Sequence, residues 1–80
     1  MHYTYILKSN KNNKYYVGST YDLDKRFILH NLGKVKSTKS YKPWNIYYFE
    51  QFDNEREAIL RERQIKGWKS REMIEKLKFK

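Results

Sequence analysis

The stretch KYYVGST, residues 14–20, decides how the rest of the chain is read. Tyr15, Tyr16 and Val17 suit a pleated, half-buried surface, so the stretch begins as a strand. Gly18 then marks a turn or a close approach to the backbone. Upstream, residues 9–13 (SNKNN) are rich in turn formers, and residues 2–8 (HYTYILK) alternate loosely between apolar and polar. The two runs read as a β-hairpin, with residues 2–8 pairing with residues 14–18.

Downstream, the apolar pattern becomes helical. Asp22 is placed to cap a helix whose inward positions are Leu23, Phe27 and then His30 or Asn31, and Gly33 suits its terminator. Residues 33–43 (GKVKSTKSYKP) are lysine-rich and form a basic loop. Residues 44–52 (WNIYYFEQF) read as a third strand, whose nearly continuous apolar character predicts burial on both faces. Asn54 followed by Glu57 is a capping-box variant opening a helix to about Lys66, where Gly67 is the expected stop. A short last helix over residues 70–77 leads into a basic tail. The order β-β-α-β-α-α, three strands in a small sheet covered by helices, belongs to the α+β class.

Composition narrows the function. A chain of 80 residues predicts one domain, residues 1–80, with one small core. Cysteine is absent, which excludes disulfides and thiolate metal sites. No apolar run approaches the ~20 residues that span a bilayer. The start MHYTYILKSNK lacks the pattern of a signal peptide, so a soluble cytoplasmic protein with no membrane partner is expected. Eighteen Lys and Arg against nine Asp and Glu give a formal charge of +9, which favours a polyanionic partner such as nucleic acid. Aromatic residues at 18% suit both a core and a base-stacking surface. GKVKSTK imitates a phosphate-binding loop, but it lacks the second glycine and follows a helix instead of a strand.

Glu62 stands out on its helix. With Ala58 as origin, Ile65 falls about 20° to one side and Glu62 about 40° to the other, with Ile59 about 100° round on that same side. The carboxylate thus lies within the arc aimed at the sheet: it pairs with an arginine, or a rotation of the helix leaves it at the boundary, or it serves as a divalent-metal ligand at the rim of a cleft. Arg26 and His30 stand four apart on one helical face. Tyr5 and Tyr16 lie on the paired first strands. Two hydroxyls, an Arg, a His and an inward Glu are the parts needed to cut a phosphodiester. The carboxylate holds a metal, the Arg stabilises phosphoryl charge, and a hydroxyl or imidazole helps to activate water.

These residues resemble the GIY-YIG nuclease domain, most closely its small stand-alone bacterial members of the UPF0213 type, and are similar to the N-terminal endonuclease domain of UvrC. TYI (residues 4–6) stands at GIY, and YVG (residues 16–18) stands at YIG. The helix DLDKRFILHN follows, with Arg26 on the family's arginine and His30 on its Tyr-or-His position. AILRERQIKGW (residues 58–68) resembles the A-x-x-x-E segment and places Glu62 on the metal-ligand position. Ser19 stands where many relatives carry Lys. The resemblance implies three antiparallel strands flanked by helices and a metal-dependent endonuclease using one Mg²⁺ or Mn²⁺. It implies Tyr16 or Tyr5 as the hydroxyl nearest the water, His30 as a helper in proton transfer, Arg26 on the scissile phosphate and Glu62 on the metal. Gly18 would leave room for that phosphate. The expected substrate is nucleic acid, DNA ahead of RNA, with branched or damaged DNA among the candidates. Lys34, Lys36, Lys39 and Lys42 would contact the backbone, and a protein partner could supply specificity. The alternative is a nucleic-acid-binding module of the same fold that cuts weakly or not at all.

Overall fold

The computed structural model describes residues 1–78; of the expected basic tail only Lys78 falls within them. Strands β1 (His2–Ser9), β2 (Tyr15–Thr20) and β3 (Trp44–Phe52) alternate with helices α1 (Leu23–Asn31), α2 (Glu55–Trp68) and α3 (Arg71–Leu77), in the expected order β-β-α-β-α-α. The sheet runs β2-β1-β3, antiparallel throughout. The fold is α+β.

The centre of the sheet is β1. Tyr5, Ile6 and Leu7 are each 1% exposed or less, because helices cover both faces of that strand. Alternation divides its side chains between two cores. Tyr5 and Leu7 pack with Leu23, Trp44 and Phe27 beneath α1, and Ile6 packs with Val17, Ile65 and Leu77 beneath α2 and α3. The expectation that β3 is buried on both faces is corrected. It is an edge strand on which only Trp44 is buried, and Phe49 is 51% exposed. Its apolar run fills the flanks of two cores without lying between them.

The helix starts follow the local chemistry. Asp22, Asn54 and Ser70 each accept a hydrogen bond from the backbone N–H three residues on, satisfying one of the donors left open at a helix N-terminus. Gly33 takes a positive φ of 76° just past α1, as its place in the sequence predicts. Gly67 does not stop α2. The helix continues through it to Trp68, and Lys69, at φ 48°, makes the reversal. Trp68 packs against the second core with the Arg61 guanidinium over its ring, and that burial offsets the roughly 1 kcal/mol a helical glycine costs. Two further ties seat α2 on the sheet. The buried Thr4 hydroxyl donates to the Ala58 carbonyl at 2.6 Å, and Arg61 forks onto Glu50 at 2.8 and 3.0 Å.

Strand β2 runs two residues beyond the expected end at Gly18, since Ser19 and Thr20 pair with Thr4 and Tyr3. The extension has a positional consequence. Tyr16 and Gly18 face α1, while Val17 and Ser19 face α2.

Candidate active site

The α1 side of the site is built around Tyr5. Gly18 is its partner across the ladder, and a methyl group at Gly18 would lie 2.6 Å from the Tyr5 hydroxyl oxygen and 2.7 Å from Cζ. The glycine is required by the phenol of Tyr5, which fills the space the sequence reading assigned to a phosphate. From there the Tyr5 hydroxyl meets Nε2 of His30 at 2.9 Å, and His30 Nδ1 meets Oγ1 of Thr38 at 2.6 Å. Tyr16 closes the group, its ring centroid 5.2 Å from that of His30 and 6.4 Å from that of Tyr5. His30 and Thr38 are fully buried.

Burial governs the electrostatics of this group. It pushes the Tyr5 phenol up to about 12; Arg26 pulls it down, while the charges of Tyr16 and Glu62 push it further up. Burial likewise lowers His30 to about 4, helped by the positive charge of Arg26. Near neutral pH the pair is a protonated phenol against a neutral imidazole. Arg26, one turn before His30, has a buried Nε with no hydrogen-bond partner among the described residues. A buried guanidinium nitrogen left unpaired carries a desolvation cost that an anion at that spot removes.

Glu62 approaches from α2, on the other side of the sheet. Its side chain is 19% exposed, at the boundary the helical wheel allowed, and its partners are Ser19 and a lysine instead of an arginine. The Ser19 hydroxyl donates to Oε1 at 2.8 Å, and Lys66 Nζ sits 2.7 Å from Oε2. Its charge is the weakest of the influences on the Tyr5 phenol, after burial, Arg26 and Tyr16.

The donor set around Glu62 decides which metal fits. Among the described residues no group of three or more His, Cys, Asp or Glu side chains could enclose an ion. A lone boundary carboxylate is a donor set that fits only a hard divalent ion keeping several waters, and here both its oxygens are engaged by Ser19 and Lys66.

Lys34, Lys36, Lys39 and Lys42 are all exposed on the loop between α1 and β3. That loop is held against the β1–β2 turn, where Lys11 Nζ donates to the Ser40 carbonyl and the Asn10 N–H donates to that of Pro43. A second basic feature follows the open edge of β2. This cleft of about 450 Å³ is lined by Tyr16, Lys14, Lys66, Lys69 and Arg71.

The structure thus brings Tyr5, Tyr16, Arg26 and His30 together beneath α1 and holds Glu62 apart from them on the α2 side, bonded to Ser19 of β2, with the four lysines exposed on the loop between α1 and β3. The sequence reading did not single out Thr38, Lys66 or Asn31. Asn31 clamps the start of β3, accepting from the Trp44 N–H at 2.6 Å and donating to its carbonyl at 3.0 Å. The i, i+4 spacing of Glu62 and Lys66, and the inward helical position that Asn31 shares with His30, were the local signals for these; Thr38 had none.

The fold and this cluster define a GIY-YIG domain: the chain matches the GIY-YIG catalytic domain over residues 1–77 and belongs to that family. Among its relatives is a UPF0213 protein of Bacillus pumilus, 43% identical over 68 residues, covering 84% of this chain and 68% of the relative. A UPF0213 protein of Clostridium perfringens is 46% identical over 67 residues, covering 82% of this chain and 71% of the relative. The solution NMR structure of a UPF0213 protein from Bacillus halodurans superposes with a TM-score of 0.59 at 34% identity. That match covers 95% of this chain and 80% of the other.

Proposed function

We propose that this chain is a divalent-metal-dependent nuclease that hydrolyses phosphodiester bonds, with DNA as its substrate. The observation that supports the reading is a protonated phenol hydrogen-bonded to a neutral imidazole beside a buried guanidinium, with a boundary carboxylate on the α2 side of the same strand pair, tied to β2 through Ser19. Membership in a family of catalytic domains and the +9 charge support it.

In this mechanism the scissile phosphate docks on the Arg26 guanidinium and offsets its charge, which is the smaller of the two influences that lower His30, after burial. Water attacks phosphorus and the bond to the leaving oxygen breaks. The water proton passes to the Tyr5 oxygen as the Tyr5 proton passes to His30 Nε2, so the relay ends on imidazolium. Tyr16 flanks the water from the cleft side. Glu62 would hold the metal, which when bound stabilises charge on the phosphoryl and leaving oxygens. The loop lysines and the cleft along β2 hold the strand on either side through phosphate contacts, which position it without reading sequence.

A second reading, a nucleic-acid-binding module without turnover, draws on the engagement of both Glu62 oxygens by Ser19 and Lys66. Wild type and Glu62→Ala are compared on linear, nicked, branched and single-stranded DNA with Mg²⁺, Mn²⁺ or EDTA. Cleavage by wild type, lost with EDTA and in the mutant, is the expected outcome. Binding by both without cleavage by either favours the binding module.

A further inference from the structure

The Thr38 hydroxyl lies in the middle of the lysine-rich loop yet is fully buried, and it meets His30 Nδ1 at 2.6 Å. It also reaches the Val35 carbonyl at 3.4 Å. A threonine hydroxyl has one proton to give and lone pairs to accept with, and the Val35 carbonyl can only accept. The Val35 carbonyl also accepts from the Thr38 and Lys39 N–H groups at 3.1 and 3.0 Å, so the hydroxyl is its third donor; with the Thr38 proton directed there, Thr38 accepts at His30 and the ring proton lies on Nδ1. Nε2 then presents its lone pair to the Tyr5 hydroxyl 2.9 Å away. The charged and titratable groups near the imidazole are Arg26, which opposes its protonation, and Tyr5 and Tyr16.

We propose that Thr38 is a positioning residue that holds His30 in the Nδ1–H tautomer, keeping Nε2 free to take the proton of Tyr5. The inference deepens the nuclease reading and rests on it for its catalytic consequence; the tautomer itself requires no turnover to observe. The hydroxyl that orients the imidazole is thereby carried by the same loop whose lysines meet the substrate. Lys39 follows Thr38 directly, and the Thr38 carbonyl is fixed in turn by the Trp44 indole N–H at 3.0 Å. Docking of a strand on the loop and orientation of the imidazole are thus linked through a single residue.

The test uses the full chain labelled with ¹⁵N-histidine and two-bond ¹H–¹⁵N spectra. His2→Gln identifies the His30 signals, since the chain has only two histidines. Wild type and Thr38→Ser should each show one tautomer, protonated on Nδ1. Thr38→Val, close in shape but without the hydroxyl, should show a mixture of both. On a cleaved DNA substrate, Thr38→Val should lower kcat by about tenfold or more with KM unchanged, and Thr38→Ser should restore it. Wild-type His30 protonated on Nε2, or the same single tautomer in Thr38→Val as in wild type, overturns the proposal. If Thr38→Val does not fold, Thr38→Ala takes its place, with the same mixture expected and a single Nδ1–H tautomer overturning the proposal. A correct tautomer in a protein that cuts nothing would count against the nuclease reading alone.

Discussion

The two sides of the candidate site are built on opposite principles. Beneath α1, Tyr5, His30 and Thr38 form a buried chain in which each member is neutral near pH 7 and each hydrogen bond is fixed by packing. On the α2 side, Glu62 and Lys66 are charged, reached by solvent and held by side chains free to exchange partners. The first arrangement is preorganised, and changing it should disturb both the fold and the chemistry. The second is replaceable, and changing it should disturb chemistry alone.

The sharpest way to break the comparison is Glu62→Ala. Metal-dependent cleavage should vanish while the urea midpoint moves little, because an ion pair at the surface boundary, its lysine half-exposed, contributes about 0–1 kcal/mol. A large loss of stability would place Glu62 among the structural residues. Tyr5→Phe should act on both sides of the ledger. It leaves His30 Nε2 buried without its partner, costing about 1–3 kcal/mol in denaturation, and it removes the relay, so kcat falls with DNA affinity preserved.

Gly18→Ala comes next. Its methyl would collide with the Tyr5 ring at 2.6–2.7 Å, so either the strand or the phenol must shift, at about 1–3 kcal/mol by thermal or urea unfolding. A smaller effect is expected from pH. His30 is lowered from 6.5 to about 4 in the folded chain, so between those values the unfolded chain binds more protons. The His30 contribution to stability is therefore complete above about pH 6.5 and is lost as pH falls toward 4, visible as a falling urea midpoint. Tyr5 acts at the other end. Its phenol is raised from 10.0 to about 12, so its contribution is lost as pH climbs between those values. The smallest effect belongs to the loop. Lys39→Ala should weaken DNA binding about equally across sequences and lower the salt slope by about one, by titration at several ionic strengths.

What the sequence made legible follows the same division. Caps at Asp22 and Asn54, the hairpin, and the placing of Glu62 near the inward arc of α2 are local facts written in spacing. Sheet order is not local. A nearly continuous apolar run in β3 could not reveal that it lies at an edge while the shorter run in β1 lies at the centre. Gly67 failed as a stop because Trp68 has somewhere to pack, which is tertiary information. Thr38 was hidden for a related reason: a hydroxyl in a polar, lysine-rich loop looks solvated until the fold closes His30 over it.

Lys66 on Glu62 has one more consequence. In many metalloproteins the empty ligand set is a cluster of mutually repelling or desolvated groups, and folding waits for the ion. Here a boundary carboxylate receives an ammonium from its own helix, one turn along, as soon as that helix forms. On the nuclease reading proposed above, Lys66 is a built-in placeholder for the metal cation, assembly is uncoupled from ion supply, and chelation should silence cleavage while leaving the melting temperature where it was.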